Sequence, residues 1–233
     1  MLQNILLVAD SIAIAQKMAA GEETISIWNL LFTTEGGTIW ITIPLLLMSV
    51  VIVYIFIDRY IATGKAAKED MNFMNNIRSF IHDGRLDSAI TMCKTTPTPM
   101  ARMIEKGLLR LGKPLSDINE SISNVGQMEI SRLEKGMGTI STFSAIAPML
   151  GFLGTVIGMI VAFHEMANAG NNLEISDLAG GIYTALITTV TGLIVGIVGY
   201  VCYNVLVSRI TRVAGLLEQR ASEFMDLLYE PAK

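Results

Sequence analysis

Two long stretches without a charged residue constrain this chain more than any other feature. They run from Thr139 to Phe163 and from Leu178 to Val207, and neither contains Asp, Glu, Lys, Arg or His. A helix needs about 20 consecutive apolar residues to cross the apolar core of a bilayer. Both stretches are longer than that, and a third stretch, Ile39 to Ile57, is also uncharged. The sequence therefore predicts three membrane-spanning helices.

The composition agrees with a membrane protein and offers little support for catalysis. Charged residues make up 16% of the 233 residues, whereas soluble domains carry about 25%. Cys93 and Cys202 do not have metal-type spacing, both histidines are isolated, and the sequence contains no phosphate loop or nucleophile–base pair. We therefore expect no enzymatic activity, no cofactor, no metal site and no nucleic-acid partner.

The two longest uncharged stretches each carry a stripe of small or hydroxyl residues at helical spacing. The stripes are Pro148, Gly151, Thr155, Gly158 and Ala162, and Ala185, Thr189, Gly192, Gly196 and Gly199. Steps of three and four residues place each stripe on one helix face. In lipid such faces let helix backbones approach closely. We therefore predict that these two helices pack together, with the packing residues Pro148, Gly151, Gly154, Gly158, Gly192 and Gly196.

The fold class predicted is an all-α membrane protein with three transmembrane helices, long cytoplasmic helical extensions and a helical cytoplasmic domain. The predicted segments are an N-terminal segment with an amphipathic helix (1–37), spans at 38–58, 139–163 and 178–207, a cytoplasmic domain (59–138), a loop (164–177) and a C-terminal helix (208–233). Within the domain the pattern predicts helices at Lys65–His82, Arg85–Lys94 and Met100–Leu111. A continuous rod is expected from about Leu115 into the second span.

The distribution of basic residues predicts the orientation in the membrane. Lys and Arg are frequent between the first two spans and recur after the third, at Arg209, Arg212 and Arg220. The loop 164–177 has acidic residues but neither Lys nor Arg. Because short loops rich in Lys and Arg stay inside, we expect the domain and C-terminus in the cytoplasm and the N-terminus and loop in the periplasm.

Two segments resemble signatures of the ExbB/TolQ/MotA proton-channel family. Residues 147–158, APMLGFLGTVIG, are similar to its second-span signature. Residues 185–193, ALITTVTGL, resemble its third-span signature, and Tyr203-Asn204 continues that match. Three spans with one cytoplasmic domain after the first resemble ExbB and TolQ rather than MotA, whose members have four spans.

The resemblance implies a proton-channel subunit of a motor in the inner membrane of a Gram-negative bacterium. The resemblance also implies pentamers around a dimer of a single-span ExbD/TolR-like partner with a membrane aspartate, in which proton flow past the threonines drives a TonB/TolA-like protein. We expect ExbB-like energising of TonB-dependent transport, with TolQ-like envelope maintenance as the alternative. Thr184 stands where ExbB and TolQ often have a glutamate, which leaves the entry path and the coupling ion open.

The residue chemistry leads independently to a partner. Proton transfer in a membrane requires a group that takes up and releases the proton, and threonine hydroxyls cannot hold the charge. The titrating carboxylate must therefore come from another polypeptide. That Thr155, Thr189 and Thr184 line its path is what the family resemblance implies; without the resemblance, Thr155 and Thr189 would be expected only to bond a carbonyl of their own helix. For Thr188 and Thr191 we expect a bond to the carbonyl of their own helix.

A solute transporter and a structural membrane scaffold are the two alternatives to the motor. A solute transporter would more often show repeated halves, and this sequence shows no repeat. A structural membrane scaffold would use the threonines for packing alone, so their replacement by alanine would be harmless.

Overall fold

The computed structural model describes residues 39–68, 71–169 and 175–229, and the secondary structure within these ranges is entirely helical. This confirms the predicted all-α fold class. The helices are α1 (Ile39–Ala66), α2 (Met71–His82), α3 (Leu86–Thr95), α4 (Pro99–Leu108), α5 (Leu115–Glu134), α6 (Met137–Ala169) and α7 (Ile175–Tyr229). The predicted amphipathic helix within 1–37 and the middle of the predicted loop 164–177 lie outside the described residues.

Three parts of the described chain are long and apolar enough to cross a membrane. They lie within residues 40–66, 115–168 and 179–229. α7 has 55 residues, which corresponds to roughly 80 Å of helix. As the sequence predicts, α7 continues well beyond its apolar part, through Arg209 to Leu228.

The predicted continuous rod from Leu115 into the second span is wrong, because the helix is interrupted between α5 and α6. Lys135 leaves the helical conformation with ψ 124°, and Gly136 has φ +88°. Side chains disfavour such a positive φ and glycine adopts it readily. A Cβ on Gly136 would also lie 3.0 Å from Cγ2 of Ile55 on α1. Apolar residues keep their helical spacing through the break, so periodicity does not reveal it.

Other helix boundaries differ from the predictions. The helix predicted at Lys65–His82 begins later, at Met71, because α1 continues through Lys65 to Ala66. The helix predicted at Met100–Leu111 is Pro99–Leu108. Its start has a local cause: the Thr98 hydroxyl accepts a hydrogen bond from the Ala101 N–H, and proline at the first helical position lacks only an N–H that would be unpaired.

Two of the helices between α1 and α6, α4 and α5, pack against the distal half of α7, and α2 and α3 extend the same apolar core. Its buried side chains include Phe73, Ile77, Cys93, Ile104, Ile118, Ile122, Val213, Leu217 and Phe224. Gly107 of α4 has no room for a Cβ, which would lie 2.7 Å from Ile122 Cδ1 and 2.8 Å from Phe224 Cε1. The distal half of α7 is therefore held within this helical core.

A charge cluster ties α4, α5 and α1 together near the break. Glu129 of α5 is buried, and its carboxylate accepts from Arg102 of α4 at 2.5 Å and from Arg132 at 2.6 Å. The Arg132 carbonyl accepts a 2.8 Å bond from Arg59 of α1. A buried carboxylate requires such partners because desolvation disfavours its charge. The cluster links the end of α1 to the helical core.

Candidate functional site

α6 and α7 approach each other closely enough to bring their backbones into contact. A Cβ on Gly151 would lie 2.8 Å from the Thr188 carbonyl oxygen and 3.1 Å from Gly192 Cα. A Cβ on Gly192 would lie 2.5 Å from the Ala147 carbonyl oxygen. The obstacle in both cases is backbone, which cannot rotate away as a side chain can. Glycine is therefore required at both positions for this helix separation.

The remaining predicted packing residues lie along the same contact. A Cβ on Gly158 would be 2.7 Å from the Ala185 Cβ, and one on Gly196 would be 2.6 Å from Cγ of Pro148. A methyl group at Gly154 would overlap the Thr188 hydroxyl. All six residues predicted for packing are therefore found between α6 and α7.

The contact brings two hydroxyl groups from different helices together. Thr155 Oγ1 of α6 lies 3.0 Å from Thr189 Oγ1 of α7. Thr155 Oγ1 is also 2.7 Å from the Phe152 carbonyl oxygen, and Thr189 Oγ1 is 3.0 Å from the Gly151 carbonyl oxygen. Thr155 is 9% exposed. We call Thr155 and Thr189 the hydroxyl pair.

The two hydroxyls of the pair have too few protons to make a hydrogen bond at every one of their oxygen–oxygen contacts. Each hydroxyl donates one proton, so two protons serve three oxygen–oxygen contacts. If Thr189 donates to Thr155, the Gly151 carbonyl loses that donor. If Thr155 donates to Thr189, the Phe152 carbonyl loses its donor instead. The pair can therefore change its donor direction by rotating hydroxyls, without moving either helix.

Three other threonines of α7 differ in their surroundings. Thr191 donates to the Ile187 carbonyl at 2.9 Å, the bond within its own helix that the sequence predicts. Thr188 donates to the Ala185 carbonyl at 2.7 Å but also lies 3.3 Å from the Gly151 carbonyl of α6. Sequence reasoning missed that second contact. Thr184 lies about one and a half turns before Thr189 on α7. Its hydroxyl donates to the Gly180 carbonyl at 2.9 Å.

Sequence reasoning also missed Ser144 as a bridge between these helices. Its hydroxyl donates to the Gly196 carbonyl of α7 at 2.7 Å, and the residue is 9% exposed. A signal was available, because Ser144 lies four residues before Pro148 on the same helix face. This bond joins α6 and α7 on one side of the Gly151–Gly192 contact, and the hydroxyl pair lies on the other side.

The surroundings of the hydroxyl pair are apolar and uncharged. The α6 segment 139–163 and the α7 segment 178–207 have no Asp, Glu, Lys, Arg or His. Within the part of the chain that the structure describes, no group of three potential metal ligands occurs. The pair can therefore orient a proton or accept a hydrogen bond, but it cannot carry charge.

The fold and this contact define an all-α membrane protein whose polar groups sit between two spanning helices. The chain belongs to the MotA/TolQ/ExbB proton channel family, whose family model matches residues 95–219. The match contains α6, the glycine contact and both members of the hydroxyl pair, and it confirms the resemblance found in the sequence.

Some relatives of the chain are named ExbB, and another is named TolQ. The chain is 36% identical to an ExbB homolog of Methanothermobacter thermautotrophicus over 48% of this chain and 39% of that protein. It is 26% identical to biopolymer transport protein ExbB of Neisseria meningitidis over 76% of this chain and 87% of that protein. It is 31% identical to Tol-Pal system protein TolQ of Haemophilus influenzae over 45% of each chain.

The glycine contact predicts a difference between two alanine substitutions in α7. Gly192→Ala must push α6 away, because its methyl group would lie 2.5 Å from the Ala147 carbonyl oxygen. Overpacking of this kind costs about 1–3 kcal/mol. Gly215→Ala meets nothing within 4 Å and should stabilise the helix by about 0.5–1 kcal/mol.

The measurement is the thermal unfolding midpoint of the purified protein in detergent. Gly192→Ala should lower the midpoint, and Gly215→Ala should leave it unchanged or raise it. Equal midpoints for the two variants would contradict the required separation of α6 and α7.

Proposed function

We propose that this chain is the proton-channel subunit of an inner-membrane motor that uses the proton motive force to energise TonB-dependent transport. The observation that carries the proposal is the hydroxyl pair, 3.0 Å apart between two spans that lack any charged side chain. Membership of the proton channel family supports the ion-conducting role. The ExbB name of the Neisseria relative, which matches over most of both chains, supports the transport role.

The titrating group in this proposal is a carboxyl on a single-span partner of the ExbD/TolR type. When the carboxyl is ionised, Thr155 and Thr189 can turn their protons towards it. Such hydrogen bonds favour the charged form and lower the pKa of the carboxyl. When the carboxyl is protonated, it can donate to a threonine oxygen while both hydroxyls return to the carbonyls of Phe152 and Gly151.

Rotation of the Thr155 and Thr189 hydroxyls, towards the carboxyl or back to the carbonyls, gives each protonation state of the carboxyl a hydrogen-bond partner. A hydrogen bond to a charged group is worth about 1.5–3 kcal/mol. A site that bonded only the ionised form would hold the carboxyl in that state and slow its reprotonation. Because hydroxyl rotation serves either form, the carboxyl can load and release its proton without a large rearrangement of α6 or α7.

In the proposed orientation, α7 provides a route from the hydroxyl pair to the cytoplasmic side. α7 carries Thr189 and continues without interruption to Phe224, which is fully buried in the helical core. Displacement of α7 near Thr189 therefore moves that core as well. In this proposal five copies surround the partner helices, and the motion is passed to a TonB/TolA-like protein.

A TolQ-like role in envelope maintenance is the second candidate, and the match to TolQ of Haemophilus influenzae supports it. The two roles require different single-span partners, and they pass the motion to different proteins, one TonB-like and the other TolA-like. The protein that co-purifies with the full chain, identified by mass spectrometry, separates them: an ExbD-like partner supports the transport role and a TolR-like partner supports the Tol role.

The functional test removes hydroxyl groups while preserving side-chain shape. Thr155→Val and Thr189→Val should each lower growth on a TonB-dependent nutrient, in cells that lack the native chain, because the carboxylate loses a donor. The loss of one such bond corresponds to at least about a tenfold reduction in transport. Thr155→Ser and Thr189→Ser keep the donor and should retain most of the activity.

Thr191→Val is the matched control, because Thr191 lies on the same helix and bonds only the Ile187 carbonyl in the described structure. Its activity should equal that of the parent. Assembly of every variant with the partner is checked by co-purification. Full transport by the double variant Thr155→Val/Thr189→Val would instead favour the structural scaffold.

The proposed orientation places the helical core in the cytoplasm and the end of α6 in the periplasm. Native Cys93 cannot report this orientation, because it is 1% exposed and burial, aided by the Glu105 carboxylate, raises the pKa of its thiol to about 12. The thiolate, which reacts with maleimides, is scarce at neutral pH for such a group.

Introduced cysteines at exposed positions solve this problem. In a Cys93→Ala/Cys202→Ala background, His164→Cys should react with a membrane-impermeant maleimide added to cells whose outer membrane has been opened. Ser88→Cys, on exposed α3 surface, should react only after the inner membrane is permeabilised. Labelling in the reverse pattern would contradict the proposed orientation.

A further inference from the structure

Tyr60 of α1 and Arg209 of α7 meet where the uncharged parts of both helices end. The uncharged part of α1 is followed directly by Asp58 and Arg59, and Arg209 is the first charged residue after Leu178 on α7. Because the end of an uncharged apolar stretch marks the boundary between hydrocarbon and headgroups, we expect the two side chains at the level of lipid headgroups. This placement holds for either orientation of the chain.

The guanidinium of Arg209 lies over the ring of Tyr60. Its Cζ lies 3.5 Å from the centroid of the Tyr60 ring, and Phe56 packs beside Tyr60 with ring centroids 5.6 Å apart. A guanidinium donates hydrogen bonds from its edge and contacts rings with its face. The contact with Tyr60 therefore holds Arg209 over the ring, and among the described residues no hydrogen bond occupies its N–H groups.

Arg209 differs from its neighbour Arg59 in having no acidic partner. Arg59 pairs with Asp58 at 2.5 Å, which neutralises both. Among the described residues, no carboxylate lies within ion-pair distance of Arg209 or of Arg212, one turn further along α7. Arg212 is exposed. The two arginines therefore present an uncompensated positive charge beside the Tyr60 ring.

The same corner of the molecule carries exposed apolar side chains on its membrane side. Ile57, three residues before Tyr60, is 52% exposed, and Val205, one turn before Arg209, is 38% exposed. A molecule with an anionic head and apolar tails fits this arrangement, since the head meets the arginines and the tails lie along α1 and α7.

We propose that Tyr60, Arg209 and Arg212 form a binding site for the headgroup of an anionic phospholipid. The planar edge of Arg209 matches two phosphate oxygens, and Arg212 adds charge from the adjacent turn. The net positive charge selects an anionic phospholipid over a zwitterionic one, because a choline or ethanolamine group would bring its own cation to the site. The proposal does not depend on the hydroxyl pair or on the partner.

The test measures lipid retention by the full chain. Protein purified in detergent is incubated with equal amounts of dioleoylphosphatidylglycerol and dioleoylphosphatidylcholine, and bound lipid is counted by native mass spectrometry. The parent should retain more phosphatidylglycerol than phosphatidylcholine. Arg209→Gln should weaken its retention about tenfold, which is ~1.4 kcal/mol. Tyr60→Leu should weaken it too, although no charge is removed.

The matched control is Lys113→Gln, which removes one exposed positive charge far along the chain from the site and should retain lipid as the parent does. A second measurement needs no variant: phosphatidylglycerol, but not phosphatidylcholine or inorganic phosphate, should raise the unfolding midpoint of the parent.

Three results would overturn the proposal. One is equal retention of the two lipids by the parent, and another is equal loss in Arg209→Gln and Lys113→Gln. The third is stabilisation by inorganic phosphate as strong as that by phosphatidylglycerol, which would identify a general anion site instead of a lipid site.

Discussion

The backbone contact between α6 and α7 at Gly151 and Gly192 determines the geometry of the whole site. A Cβ on either residue would lie less than 3 Å from a backbone oxygen of the opposite helix, so any side chain there would separate the helices. That separation would break the 3.0 Å contact of the hydroxyl pair. In lipid, where apolar burial does not drive helix association, close van der Waals packing of this kind supplies the attraction. The same glycines therefore hold the helices together and position the threonines.

The continuity of α7 connects this contact to the rest of the protein. The helix carries Thr189 at the site and Phe224 in the helical core, without an interruption between them. α6 is different, because the break at Gly136 separates it from α5. The Glu129 cluster ties α5 to α4 and, through Arg132, to α1 on the other side of that break. In the proposed motor, motion at the site would therefore pass to the core through the continuous helix α7, whereas the break separates α6 from α5.

The sequence predicts the spans and the packing faces well because their signals are local. Charge-free length identifies the spanning helices, and spacing of three and four residues places Gly151 and Thr155 on one face. The break at Gly136 could not be found this way, since apolar periodicity continues across it and only the positive φ reveals it. The bridging role of Ser144 and the second contact of Thr188 also depend on the distance between helices, which no pattern within one helix encodes. The partner, the orientation and the number of subunits remain proposals.

The central claim is that this chain shapes the proton path while another polypeptide supplies the titrating carboxyl. Both uncharged segments that meet at the hydroxyl pair lack a carboxylate, an imidazole or an amine, and hydroxyls cannot hold a proton's charge. The most direct measurement is proton uptake into liposomes under a potassium diffusion potential, with the purified chain alone and with its co-purified single-span partner. The account predicts uptake at the level of empty liposomes for the chain alone, and faster uptake with the partner that disappears when the partner's membrane aspartate is replaced by asparagine. Rapid proton uptake by the chain alone would contradict it.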